Sequence, residues 1–369
     1  MRLCFVGDPR SVHTQRWVKW FAAHHDVGIA CTSVDNSLSD FRVCTLPGSG
    51  GPPGWRLGTS VLALRRALRR HAPDILHAHF INEAGWFAAA AASRPLIITA
   101  WGSDIYRAPT ESHLARRLNP WAVRAADCVT CDSRDQARVL RSWGTPANNI
   151  AIVGWGVDHS TFHPGVDGTS LRARLRIPTS AHVLLSPRQW LPNSNIATVI
   201  EAHALLAENV FLVLKRLSQF ERGAGSTVEG AIAASPARNR IRVVDEIPEC
   251  DLPALYAAAD VVISLCTSDG TPVSVLEAMA LGRPVVALSI PSLAEWLSEP
   301  GGRLIETLQT AEVADAVSGF LADKATRQRA ALHNLSIVTA RADRDAEMTR
   351  MNEIYERLAS REIGTSRGV

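Results

Sequence analysis

Short apolar runs alternate with longer amphipathic stretches through most of the chain. Runs of four to six apolar residues read as strands buried on both faces, and so as parallel sheets under covering helices. The first half predicts strands near 2–7, 27–31, 41–45, 74–78, 96–100, 127–131 and 150–153. Helices are predicted near 14–24, 57–71, 84–92, 112–125 and 133–142. Residues 154–169 lose this rhythm around Gly154, Gly156 and His163-Pro164-Gly165, which marks a domain junction. The alternation then restarts, with strands near 182–186, 210–214, 240–244, 260–265, 284–288 and 303–305. Helices follow near 194–207, 227–234, 251–258, 272–281, 292–297 and 311–322, and a polar helical tail near 325–361. The expected fold class is α/β: two Rossmann-like parallel-sheet domains facing across a cleft at the carboxyl ends of their strands. The expected domains are 1–163 and 164–342.

Composition narrows this picture. With 369 residues, 46% of them apolar, the chain has the length of two globular domains. No run reaches the roughly 20 apolar residues of a membrane span, and Met1–Asp8 is too short for a secretory signal and reads as a strand. Seven cysteines, an odd number scattered among apolar strands, fit reduced thiols in the cytoplasm. A net charge of +3 gives no footing for nucleic acid. The charge is unevenly placed: residues 1–165 hold 18 Lys/Arg against 12 Asp/Glu, leaving 21 against 24 in the remainder. Arg65, Arg66, Arg69 and Arg70 stand opposite a stripe of Leu57, Val61, Leu64 and Leu68. This reads as a solvated helix face, with weak contact to an anionic membrane surface as the alternative.

Candidate chemistry concentrates in Asp260–Leu288. An apolar strand ends at Leu265, a polar turn follows, and a helix starts with Thr271 as N-cap and Pro272 as first residue. The free first-turn amides and the helix dipole suit a diphosphate. Glu277, alone in an apolar helix and three residues after Ser274, faces the same way as the helix start and is fit to grip a ribose diol. Asp269, at the strand exit, is fit to hold sugar hydroxyls. Other constellations carry less. Cys128-Val129-Thr130-Cys131 lacks a second ligand pair and reads as buried thiols. His77 and His79 share a strand face, with a substrate contact and a packed side chain both open for His79. Asp343-Arg344-Asp345 reads as a solvated face in the tail. Pro47–Gly54 is glycine-rich, but its prolines remove amide donors. Trp101 and Trp190 are the tryptophans best placed to touch a ligand. No metal site is expected.

The Asp269–Leu288 segment resembles the donor motif of retaining glycosyltransferase family 4, of the GT-B fold: an acid, seven residues, Glu, then Ala-Met-Ala-x-Gly-x-Pro-Val. The resemblance implies that Glu277 binds the nucleotide ribose and that Asp269, in place of the usual Glu, contacts the transferred sugar. Amides of Gly270, Thr271, Val273 and Ser274, around Pro272, would hold the phosphates. Arg188, ending Val183–Arg188, resembles the family's phosphate-binding arginine. The usual lysine a few residues later is absent, since Asn193 and Ser194 stand there. Lys215 either replaces it or merely decorates a strand end. Asn149–Asp158, Asp74–His79, Thr99–Asp104 and Gly7–Trp17 also match the family, with Trp101 where many members have a histidine. His79 or Asp104 would then line the acceptor side.

The resemblance implies a metal-independent, retaining hexosyltransferase. Its first domain would bind the acceptor and its second the nucleotide sugar, with a helix over 343–369 crossing back to the first. The expected donor is a UDP-sugar acting as co-substrate, with no resident cofactor. The expected acceptor is a small molecule, a polysaccharide or a lipid-linked glycan, and the expected location the cytoplasm, against the inner membrane face. A GT-B-like epimerase or phosphorylase, and a non-catalytic sugar-nucleotide-binding subunit, remain open, as does the oligomeric state.

Overall fold

The computed structural model describes residues 1–33, 41–47, 53–216, 224–245 and 247–366. The Pro47–Gly54 loop falls mainly on residues 48–52, outside the described residues. The chain forms two compact units, Met1–Gly154 with Met348–Val369, and Trp155–Glu347.

The first unit is built on seven parallel strands: β1 (Arg2–Val6), β2 (Asp26–Cys31), β3 (Arg42–Thr45), β4 (Ile75–His79), β5 (Leu96–Thr99), β6 (Cys128–Cys131) and β7 (Ile150–Ile152). Their order is β3-β2-β1-β4-β5-β6-β7. The central strands β4, β5 and β6 are buried along their whole length, and the edge strands β3 and β7 are not. Continuous apolar runs therefore belong to the centre, where helices cover both faces. Ser11, Ser112 and Ser133 cap the helices Val12–Ala22, His113–Ala125 and Arg134–Ser142 by accepting from first-turn amides.

The second unit carries six parallel strands: β8 (His182–Ser186), β9 (Val210–Arg216), β10 (Ile241–Asp245), β11 (Val261–Ser264), β12 (Val285–Leu288) and β13 (Gly302–Ile305). Their order is β10-β9-β8-β11-β12-β13. Both sheets are thus Rossmann-like, with the order reversing between β1 and β4 in one and between β8 and β11 in the other. Ligands of open α/β sheets bind at that reversal, beyond the carboxyl ends of the strands.

The final helix, Arg344–Ser366, begins in the second unit, and from Met348 onward it belongs to the first. Met348, Met351, Ile354, Tyr355 and Leu358 are buried at helical spacing, so this polar-looking tail has one apolar stripe. At its start Asp345 is exposed, as the solvated-face reading has it, but Asp343 and Arg344 are half-buried and engaged, which corrects that reading for these two. Asp343 Oδ1 accepts from the Ala346 amide at 2.8 Å, and Arg344 Nη1 donates to Asp158 at 2.7 Å. The chain passes so close that a Cβ on Gly156, whose φ is +63°, would lie 2.4 Å from Arg344 Cα. Only glycine fits there. Among the described residues, no helix is long and apolar enough to cross a membrane.

Candidate functional site

In the second unit, β8 and β11 deliver the site's two key side chains. Arg188 leaves the sheet two residues after β8, and Asp269 stands in the loop after β11. Arg188 Nη2 donates to Asp269 Oδ2, and Nη1 donates to Ser274 Oγ at 3.1 Å. Burial works against the guanidinium's charge, but Asp269 beside it prevails and keeps Arg188 protonated.

The helix that supplies Ser274 spans Val273–Ala280. Its N-cap is Pro272, not Thr271, one residue later than the sequence suggests. Thr271 is engaged elsewhere: its Oγ1 accepts from Trp296 Nε1 at 3.1 Å. Proline has no side-chain acceptor, so the first-turn N–H groups receive no side-chain cap from it. Gly270 and Thr271 are buried, while Val273 and Ser274 are half-buried. Glu277, 5% exposed, lies one turn further along among buried Val275, Leu276, Ala278, Met279 and Ala280.

The loop between β11 and this helix is held from both sides, by partners that carry no local sequence signal. Asn195 Nδ2 donates to the Leu265 carbonyl at 2.7 Å, and the Thr267 amide donates to the Asn193 carbonyl at 3.0 Å. From the other side, Ser292 Oγ donates to the Asp269 carbonyl at 3.0 Å. Asn193, standing where the family's lysine would be expected, thus serves the loop's backbone. Lys215 is half-buried at the carboxyl end of β9. Since β8 and β9 pair at Ser186↔Leu214, Lys215, still within β9 and paired with Val244 of β10, and Arg188, two residues past β8, both stand toward the carboxyl end of the sheet.

Trp190 is not placed to touch a ligand. It is 1% exposed, with the Arg216 guanidinium 5.0 Å from its ring centroid.

In the first unit, His79 ends β4 beside the strand reversal. It is 1% exposed, and its ring lies 5.2 Å from those of Phe5 and Trp17, 4.7 Å from His77 and 5.4 Å from Trp101. Burial, with His13 adding to it, pushes its pKa down to about 3, so the imidazole is neutral. Nδ1 lies 3.4 Å from Thr14 Oγ1, and Nε2 has no hydrogen-bond partner among the described residues. His77 is fully buried in a network of its own. Nδ1 bonds Tyr355 Oη and Nε2 bonds Thr99 Oγ1, both at 2.6 Å.

Asp104 does not line an acceptor pocket. It is fully buried, and its oxygens accept from the Ile81, Trp101 and Gly102 amides at 2.9–3.0 Å. Its role is to fold the loop that carries Trp101. Arg65 is likewise not simply solvated, because it donates to the Ala90 and Ala91 carbonyls that end the helix Glu83–Ala91. Arg66, Arg69 and Arg70 are exposed. Cys128 and Cys131 are buried as expected, the Cys128 thiol being pushed up to about 11 by burial. Among the described residues, no group of three or more His, Cys, Asp or Glu gathers as metal ligands.

Comparison with known proteins adds the family. Residues 2–133 match the family described as glycosyl transferase 4-like, and residues 167–333 the one described as glycosyl transferases group 1. Over 274 residues, 70% of this chain, it is 28% identical to a D-inositol 3-phosphate glycosyltransferase of Xylanimonas cellulosilytica, covering 66% of that protein. A counterpart from Corynebacterium efficiens is 26% identical over 69% of this chain and 65% of its own length. The match therefore spans slightly under two thirds of these curated relatives. Among solved structures, sucrose-phosphate synthase from Thermosynechococcus elongatus superposes with a TM-score of 0.85 at 19% identity, over 98% of this chain and 99% of that one. Anabaena HepE in complex with UDP-glucose gives 0.83 at 19% identity, over 97% and 100%. Those likenesses establish the GT-B type of fold, and with both domain families matched in order, the chain belongs to the family-4-like, group 1 glycosyltransferases.

Proposed function

We propose that this chain transfers a sugar from a nucleoside-diphosphate donor to an acceptor hydroxyl, with retention at the anomeric carbon. One observation carries the reading: the guanidinium of Arg188 meets the first turn of the Val273–Ala280 helix at the strand reversal of the second unit. A cation and a helix N-terminus aimed at one point suit the two charges of a diphosphate. The N–H groups of Gly270, Thr271, Val273 and Ser274, together with Arg188 and Lys215, take the phosphates. Glu277 takes the ribose diol, and Asp269 the transferred sugar. A UDP-sugar is the proposed donor, supported by the UDP-glucose bound to the Anabaena relative. His79, a neutral imidazole able to give or accept one hydrogen bond, is proposed for the acceptor, a glycan, lipid-linked glycan or small molecule.

In the proposed step the bond between the anomeric carbon and the β-phosphate oxygen breaks, and its electron pair leaves with the diphosphate. The acceptor oxygen bonds to the same face of that carbon, and its proton passes to the departing phosphate oxygen. The products are a glycoside and a nucleoside diphosphate. Charge grows on the leaving group, so donors already aimed at it lower the barrier without reorganising. Arg188 and Lys215 offer this countercharge, and we propose that no metal is required. The exposed Arg66, Arg69 and Arg70, with Leu62 beside them at 54% exposure, support a further proposal, weak association with anionic membrane surfaces.

The test is donor binding by Glu277→Ala. Losing two charge-assisted hydrogen bonds should weaken UDP-sugar affinity by on the order of a hundredfold or more, measured by calorimetry on protein whose melting temperature shows it folded. Unchanged affinity in the folded variant would remove Glu277 from the site and the donor reading with it.

A further inference from the structure

Asp269 is assigned to the sugar's hydroxyls, yet its carboxylate is engaged by Arg188. The two side chains are only 18% and 21% exposed, Arg188 and Asp269 respectively. Arg188 also donates to Ser274, in the first helical turn, so a guanidinium is held at the positive end of a helix dipole. That placement is repulsive by itself. Some anion has to hold it there, and the anion present is Asp269.

We propose that Asp269 is the built-in counter-ion of Arg188: it positions the guanidinium for a diphosphate and yields it when a diphosphate binds. The inference rests on the donor reading. Arg188 keeps Ser274 through Nη1 and turns Nη2 from the carboxylate to a phosphate oxygen. The released carboxylate is then available to sugar hydroxyls, so capture of the phosphates and grip on the sugar are coupled. Because each binding event gives up an existing ion pair, the product nucleoside diphosphate is held less tightly than an unpaired arginine would hold it.

A residue that touches only the sugar has no effect on a ligand without one. The experiment is therefore calorimetry with UDP, and with inorganic pyrophosphate as the base-independent probe, on wild type, Asp269→Asn, Arg188→Gln and the double variant. Asp269→Asn should bind both probes about tenfold more tightly, the order expected for removing one unit charge several ångströms away in a partly buried site. Arg188→Gln should cost about tenfold more affinity in the Asp269→Asn background than in wild type, because there the arginine has no internal pair to lose. Unchanged or weaker binding by Asp269→Asn, or additive effects of the two substitutions, would overturn the proposal. If Asp269→Asn fails to fold, Asp269→Ser takes its place with the same expectations. A wild-type chain that binds neither probe would overturn the donor reading and this inference together.

Discussion

Replacing His79 with glutamine should flatten the pH dependence of stability in the first unit. His79 is 1% exposed, and burial followed by the effect of His13 takes its pKa down to about 3. Unfolded, it titrates near 6.5. Below that value the unfolded chain binds a proton that the native state refuses, so stability is retained above pH 6.5 and declines as pH falls through it. Integrated from pH 7 to pH 5, this group removes about 2 kcal/mol, a large part of the 5–15 kcal/mol typical of a domain. The native value of about 3 lies below the window and does not limit the effect. His77 acts with the same sign, its pKa held well below 6.5 by burial and then by His79. Asp104 acts with the opposite sign: burial raises its carboxyl, so the native state takes that proton first. Comparing wild type with His79→Gln cancels the Asp104 contribution, while for His77 it removes the smaller of the two causes and leaves burial, the larger, in place. Urea unfolding at pH 7 and pH 5 gives the two slopes; tryptophan fluorescence suits it, since Trp17 lies 5.2 Å from the His79 ring. The variant should lose about 2 kcal/mol less than wild type between these pH values. Identical losses would mean that His79 is protonated in the native chain, and the neutral imidazole assigned to the acceptor would be wrong.

Two further outcomes are expected. Tyr355→Phe removes the hydroxyl bonded to His77 Nδ1, and leaving that buried nitrogen unpaired should cost about 1–3 kcal/mol; an unchanged urea midpoint would contradict it. Vesicles rich in anionic lipid should retain the chain at low salt and release it at high salt, and the triple Arg66→Ala, Arg69→Ala, Arg70→Ala variant should bind less, at roughly 1 kcal/mol per arginine near the surface. Equal sedimentation of wild type and triple variant would show that this helix face makes no contact with the lipid.

The strands were legible because their signal is local. Val261–Ser264 and Val285–Leu288 are buried on both faces, so nearly every position is apolar and the run announces itself. Glu277 stood out for the same reason, as the one acid in an apolar helix. Pairings that join distant segments left no such trace. Arg188 and Asp269 are 81 residues apart, and nothing in either neighbourhood says that they meet. The likeness of Thr99–Asp104 to the family pointed Asp104 to the acceptor side; only the fold shows three amides converging on it. Trp190 illustrates the converse. It is one of the two tryptophans expected to touch a ligand, but it is 1% exposed and Arg216, from the neighbouring strand, lies over its ring. The one-residue difference at Pro272 is of the size that helix ends commonly show. It matters here because Thr271 is freed to anchor Trp296.

The hydroxyl that completes the His77 network comes from Tyr355, 278 residues later in the chain. At translation speeds of about 5–20 residues per second, the gap between synthesis of the two is roughly 14–56 s. Once β7 is made, the nascent first unit has all its strands but still lacks the Tyr355 ring that packs on Phe21 and accepts from Trp17, while the second unit is still being made. The order of birth on the ribosome thus runs against the order of completion: the part that starts first finishes last.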